Sequence, residues 1–175
     1  MSIRSTLTLA TLMLAGVAQA QSTPIQQWQI IEGKGLTDNY VFLGMTRKQA
    51  VSVNRDCRGK VSRCSFQPQD GSGTLLDTPT VTLNFDAKNK VSSIDINQGG
   101  RAIQWPTTAG AVDSMTADQV KALYPGSTLV RGDSGDATVT AAMQGYVFNQ
   151  DFSCAPFEPC SPLVLHSIVK PKKAR

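Results

Sequence analysis

"GMTRKQAV", at residues 44–51, returns as "SMTADQVK" at residues 114–121, and the offset between the two is a constant 70 positions. Met45 matches Met115, Thr46 matches Thr116 and Gln49 matches Gln119, while Ala50 stands where the second copy has Val120. Each copy reads as a helix start. The threonine hydroxyl accepts a hydrogen bond from the third backbone amide, and the glutamine three places on reaches back to the threonine's own amide. The methionine before the cap is placed to pack on Ala50 or Val120 as a hydrophobic staple. The second helix is well specified, with Val120, Leu123 and Tyr124 on one face and Pro125-Gly126 to end it. After the first cap, "AVSVNRDC" mixes β-branched and turn residues, which predicts a short helix stopping near Cys57.

Strand material follows each start. The first copy continues with "VSRCSF" at 61–66, the loop "QPQDGSGTLLDTP" at 67–79, "TVTLNF" at 80–85, the turn "DAKNK" at 86–90 and "VSSIDIN" at 91–97. The second continues with "STLVRG" at 127–132, the turn "DSGD", "ATVTAA" at 137–142, "YVFNQ" at 146–150, a cysteine-bearing loop, and "LVLHSIV" at 163–169. Apolar and polar residues alternate within these runs, as half-buried hairpins require. The pattern predicts an α+β protein of two tandem repeats, each a short helix packed on an antiparallel β-sheet of about three or four strands. The expected boundaries are 21–107 for the first repeat, 108–170 for the second and 171–175 for a basic tail.

Ahead of the repeats, Arg4 supplies a positive start, "LTLATLMLAGVA" an apolar stretch and "AQA" at 18–20 a small-residue cleavage site. Residues 1–20 are therefore expected to be a secretory signal peptide, and the mature chain to be periplasmic. The apolar run is shorter than the roughly 20 residues of a spanning helix, and no later segment is apolar enough to span. Gln21, not cysteine, follows the expected cut, so the sequence offers no lipidation site there.

Without the signal the chain has 155 residues, with 16 basic and 13 acidic side chains. Four of the basic ones, Lys170, Lys172, Lys173 and Arg175, fall in the last six positions. Such a tail is ordinarily a solvated end, with contact to a negatively charged surface as the alternative. No basic stripe interleaved with aromatics is present, which argues against a nucleic-acid partner.

All four cysteines, Cys57, Cys64, Cys154 and Cys160, lie in the exported part, where disulfides persist. Three connectivities are open, and the short spacings favour Cys57 with Cys64 and Cys154 with Cys160. With His166 as the single histidine and no Cys-x-x-Cys spacing, no metal site is expected, and no cofactor.

The strand-like lead-in and helix start "NYVFLGMT", the repeated "GMT..QA" and "SMT..QV" and the strands that follow resemble the tandem-repeat superfamily of the β-lactamase inhibitory protein and the small outer-membrane-assembly lipoproteins. That resemblance implies a secreted or periplasmic protein that is not an enzyme and acts by binding other proteins. The chain departs from the family in reading "QA" in the first copy, and from the assembly lipoproteins in lacking the lipidated cysteine. Two repeats with a cysteine pair in each fit the inhibitor branch, and exported immunity proteins against toxins injected by rival bacteria, as through type VI secretion, are built similarly.

Catalytic constellations are sparse. A Ser-His-Asp or Cys-His arrangement would have to use His166, no Gly-x-Ser-x-Gly elbow is present, and "GKG" and "GSG" lack the residues of phosphate loops. "RGDSGD" at 131–136 is too short for a calcium loop and reads as a hairpin turn. The cysteine loop "DFSCAPFEPCSP" at 151–162 offers something else: prolines and a ring closure that stiffen an apolar tip. Phe152 and Phe157 are candidate anchors in a partner's pocket, with Glu158 supplying a charge and Leu75 and Leu76 a second contact. The alternative is that the two phenylalanines fold back on their own sheet. The sequence thus leads to a periplasmic inhibitor of another protein, an immunity protein against a cell-wall hydrolase or phospholipase. An envelope assembly or scaffold factor and a small periplasmic hydrolase are the alternatives.

Overall fold

Thr46 and Thr116 cap two helices of seven residues each, α1 (Arg47–Val53) and α2 (Ala117–Leu123), and both capping boxes are complete. In each, the threonine side chain accepts from the backbone N–H of Gln49 or Gln119, whose side-chain oxygen accepts from the threonine N–H at 2.8 Å. α1 gives out at Asn54, whose extended backbone follows the β-branched Val51 and Val53, and the Asn54 side chain then caps a 3-10 turn at Arg55–Cys57. The computed structural model describes residues 23–70, 76–133, 135–151 and 163–173. The expected signal peptide at 1–20 lies outside them, as do Leu75, Phe152, Cys154, Phe157, Glu158 and Cys160.

The rest of the described chain is mainly strand: β1 (Ile30–Ile31), β2 (Gly35–Leu36), β3 (Arg63–Phe66), β4 (Thr80–Phe85), β5 (Val91–Asn97), β6 (Thr128–Arg131), β7 (Ala137–Ala141), β8 (Tyr146–Asp151) and β9 (Leu163–Val169). β1 and β2 form a small ribbon, and the other seven make one antiparallel sheet in the order β3-β4-β5-β9-β8-β7-β6. This overturns the expected α+β architecture of two helix-on-sheet repeats: the protein is predominantly β, with one continuous seven-stranded sheet and two short helices. The reason lies in β9. Ile96 of β5 pairs with His166 on one side, and Phe148 of β8 pairs with the same residue on the other, so the last strand joins both sets of hairpins in one hydrogen-bonded ladder. A cap motif announces where a helix begins, not how long it lasts, and seven residues cannot cover a sheet of this width.

Alternation along the strands sends one side-chain set to a single buried face. Phe66, Val81, Ile96, His166, Phe148 and Val139 form a row across six strands, all buried. The apolar interior divides into two clusters. One gathers Trp28, Leu36, Ile94, Ile96 and Trp105, and the other Val120, Tyr124, Val139, Tyr146 and Phe148. The clusters meet along β9, with Ile168 in the first and Val164 in the second. Ala50 of α1 packs in the first and Ala117 and Val120 of α2 in the second, so both helices cover the same face.

Cys57 and Cys64 are joined in a disulfide, with Cα atoms 5.1 Å apart, tying the 3-10 turn after α1 to β3. Among the described residues no helix is long and apolar enough to cross a membrane.

Candidate protein-binding face

The side chains that alternate with the core row project from the opposite face of the sheet. Ser65, Thr82, Asp95, Ser167, Val147, Thr140 and Thr128 stand opposite one another in turn, a row that crosses all seven strands. A second row runs Thr80, Asn97, Leu165, Asn149, Thr138 and Val130. These are short polar groups with a few apolar ones between them, and Val130 and Leu163 are 65% and 51% exposed.

The polar members hold one another. Asp95 is the hub: its two oxygens accept from Asn84 Nδ2 at 2.8 Å and from Ser167 Oγ at 2.7 Å, and Asn84 also donates to Ser93 Oγ at 3.0 Å. Ser65 and Thr82 share a 2.8 Å hydroxyl bond, and Thr138 donates to Asn149 at 3.0 Å. Side chains fixed by their neighbours lose little rotamer freedom when a partner docks. The alternating polar residues of "TVTLNF" and "VSSIDIN" mark this surface in the sequence. The missing signal is that β9 would carry it across to β8, β7 and β6.

His166 lies on the other face, in the core, and is fully buried. Its Nδ1 is 2.6 Å from the Tyr146 hydroxyl and its Nε2 is 2.6 Å from Asp113 Oδ1. Both ring nitrogens are thus engaged inside the protein, and the ring is closed off from solvent. A second polar knot sits beside it. Tyr124 donates its hydroxyl to Glu32 Oε1 at 2.6 Å and lies 2.7 Å from Thr107 Oγ1, while the Thr108 hydroxyl donates to Glu32 Oε2 and the Ala109 N–H to Oε1. Burial pushes the Tyr146 phenol far above its usual value, helped by the nearby Tyr124, Glu32 and Asp113. Tyr124 is raised as well, first by burial and then by the bond to Glu32. Both phenols therefore stay neutral, and the knot clamps the segment after β1 to the start of the second cluster.

Among the expected contact residues, Leu76 is described: it is partly buried and packs on the first core cluster. Phe152, Phe157, Glu158 and Leu75 lie outside the described residues, although the strands that flank the cysteine loop pair as far as Asp151 and Leu163. Among the described residues no cluster of three or more His, Cys, Asp or Glu side chains is arranged to hold a metal ion. No protein-family model, curated protein or solved structure matches the chain.

Proposed function

We propose that this chain is an exported inhibitor of another protein, which it binds through the open face of the seven-stranded sheet. The observation that carries the reading is the face itself, which no described helix covers, continuous across seven strands and lined by mutually hydrogen-bonded short side chains. Seven strands about 4.8 Å apart span roughly 30 Å. A patch of that width and a strand's length approaches the ~800 Å² that each partner contributes to a standard stable interface. Small hydroxyl and amide groups with isolated apolar residues match the mixed chemistry of such interfaces. The signal-like residues 1–20 support a periplasmic location, and the doubled cap motif supports the immunity-type inhibitor, with a cell-wall hydrolase or phospholipase as target.

The form beginning at Gln21, which retains every described residue, serves as bait against secreted and envelope fractions. Beside it go a Thr82→Lys, Val147→Lys variant on the open face and a Phe152→Ala, Phe157→Ala variant in the loop, each checked for native circular dichroism. The expected result is capture of one secreted hydrolase whose turnover stops at a one-to-one ratio, with capture lost in the open-face variant. Constitutive capture of envelope assembly proteins would favour a scaffold, turnover by the purified protein would favour a hydrolase, and capture unaffected by the open-face variant would move the contact elsewhere.

A further inference from the structure

The two ends of the large sheet carry opposite charge. At one end lie residues 60–62 before β3, the 86–90 turn, the 142–145 turn and residues 170–173 after β9, since Asn84 pairs with Arg63, Phe85 with Val91, Tyr146 with Ala141 and Ile168. These segments bring together Lys60, Lys88, Lys90, Lys170, Lys172 and Lys173, against a single acid, Asp86. Asp86 is exposed, and its Oδ1 accepts the backbone N–H groups of Lys88 and Lys90 on its own hairpin. The opposite end carries Asp70, Asp77, Asp133, Asp136 and Asp151 against Arg101 and Arg131. Arg101 is paired with Asp77, and Arg131 with Asp118 of α2.

The basic end also carries exposed apolar side chains, as the opposite end does with Leu163, and a cleft lined by lysines. Met143, at the tip of the β7–β8 turn, is 53% exposed, and Val61, next to Lys60, is 39% exposed. Between the start of β5 and the segment after β9 a cleft of about 630 Å³ opens with Lys90 and Lys170 in its lining and Leu43, Val91 and Pro171 as apolar wall. The Lys172 N–H donates to Ala142 O at 2.9 Å, which holds the carboxy-terminal lysines against the Met143 turn.

We infer that this end of the sheet is a peripheral docking surface for a membrane rich in anionic phospholipid. Cations and exposed apolar side chains share this end, an arrangement that lets lysines sit at phosphate level while methionine and valine enter the headgroup region. The width of the patch argues for a surface and not for one small anion. A macroscopic dipole along the strands orients the molecule, basic end to the lipid, and leaves the open sheet face perpendicular to the membrane and free for its partner.

The test uses the form beginning at Gln21 with two kinds of vesicle, phosphatidylethanolamine mixed with phosphatidylglycerol, and phosphatidylcholine alone. Binding is expected to the first and not the second, and to weaken as salt is added. Each cation at such a surface is worth about fivefold in affinity. The Lys90→Gln, Lys170→Gln, Lys172→Gln triple should therefore bind on the order of a hundredfold more weakly. Arg101→Gln, Arg131→Gln removes two cations at the opposite end of the sheet and should bind nearly as the parent does. In a separate arm, Met143→Trp should shift its emission to the blue when anionic vesicles are added, while Val130→Trp, on the open face, should not. Equal binding to both vesicles, a loss per charge in the Arg101, Arg131 double equal to that in the lysine triple, a Met143→Trp emission that does not move, or binding to heparin without binding to vesicles would overturn the proposal.

Discussion

The Tyr146 hydroxyl and His166 Nδ1 lie 2.6 Å apart across the β8–β9 pair, and neither residue reaches solvent. The Asp113 carboxylate is 2.6 Å from His166 Nε2, so each ring nitrogen has one partner inside the protein. Tyr146→Phe keeps the ring and its contact with Tyr124 at 4.9 Å but leaves the buried His166 Nδ1 without its hydrogen-bond partner. The expected loss is about 1–3 kcal/mol of unfolding free energy, measured by urea denaturation with unchanged slope. A variant as stable as the parent would mean that the hydroxyl contributes nothing net to the core.

What the sequence revealed and what it hid follow from the range of the interactions. The two capping boxes are legible because Thr46 and Gln49, or Thr116 and Gln119, lie within one turn of each other. The β4–β5 and β6–β7 hairpins are legible for the same reason, through their turns and alternation. The pairing of β5 with β9 is not: Ile96 and His166 are far apart in the chain, and alternation says which face a residue takes without saying which strand lies beside it. His166 stood out as the single histidine, yet its partners Tyr146 and Asp113 are 20 and 53 positions away. Long-range pairing decided both the fold class and the open face, and local pattern reaches neither.

Glu32 gives the fold a dependence on acid. Burial alone would raise its carboxyl, but hydrogen bonds from Thr108, Tyr124 and the backbone N–H groups of Glu32 and Ala109 outweigh it and hold the pKa below the ordinary glutamate value. A carboxyl depressed in the folded state adds stability that is present above its unfolded pKa, about 4.3, and lost as pH falls through the folded value. The stability gap between the parent and Glu32→Gln, taken from denaturation curves, should therefore be constant near neutrality and narrow below about pH 4. A gap that stays constant down to pH 2 would show that the charge on Glu32 is not what the clamp uses.

Gly145 occupies the place where the chain after β1 crosses the β7–β8 turn. Its carbonyl accepts from the Gly33 N–H at 3.2 Å and from the Val169 N–H at 2.9 Å, so three segments meet on one peptide. With φ at +73° it lies in the left-handed region, and a Cβ there would fall 2.3 Å from Val169 O and 2.8 Å from Gly33 Cα, both backbone atoms with nowhere to swing. Gly126, after α2, has φ at +81° with nothing within 4 Å of such a Cβ. Alanine at 126 thus meets only the conformational cost, about 1–2 kcal/mol, whereas alanine at 145 adds displacement of the crossing. Gly145→Ala should be the more destabilising by at least about 1 kcal/mol in urea, and its amides at Gly33 and Val169 should exchange faster with deuterium than in the Gly126→Ala protein. Equal losses would mean that the crossing yields easily, and with it the anchoring of Lys170 and Lys172 at the basic end of the sheet.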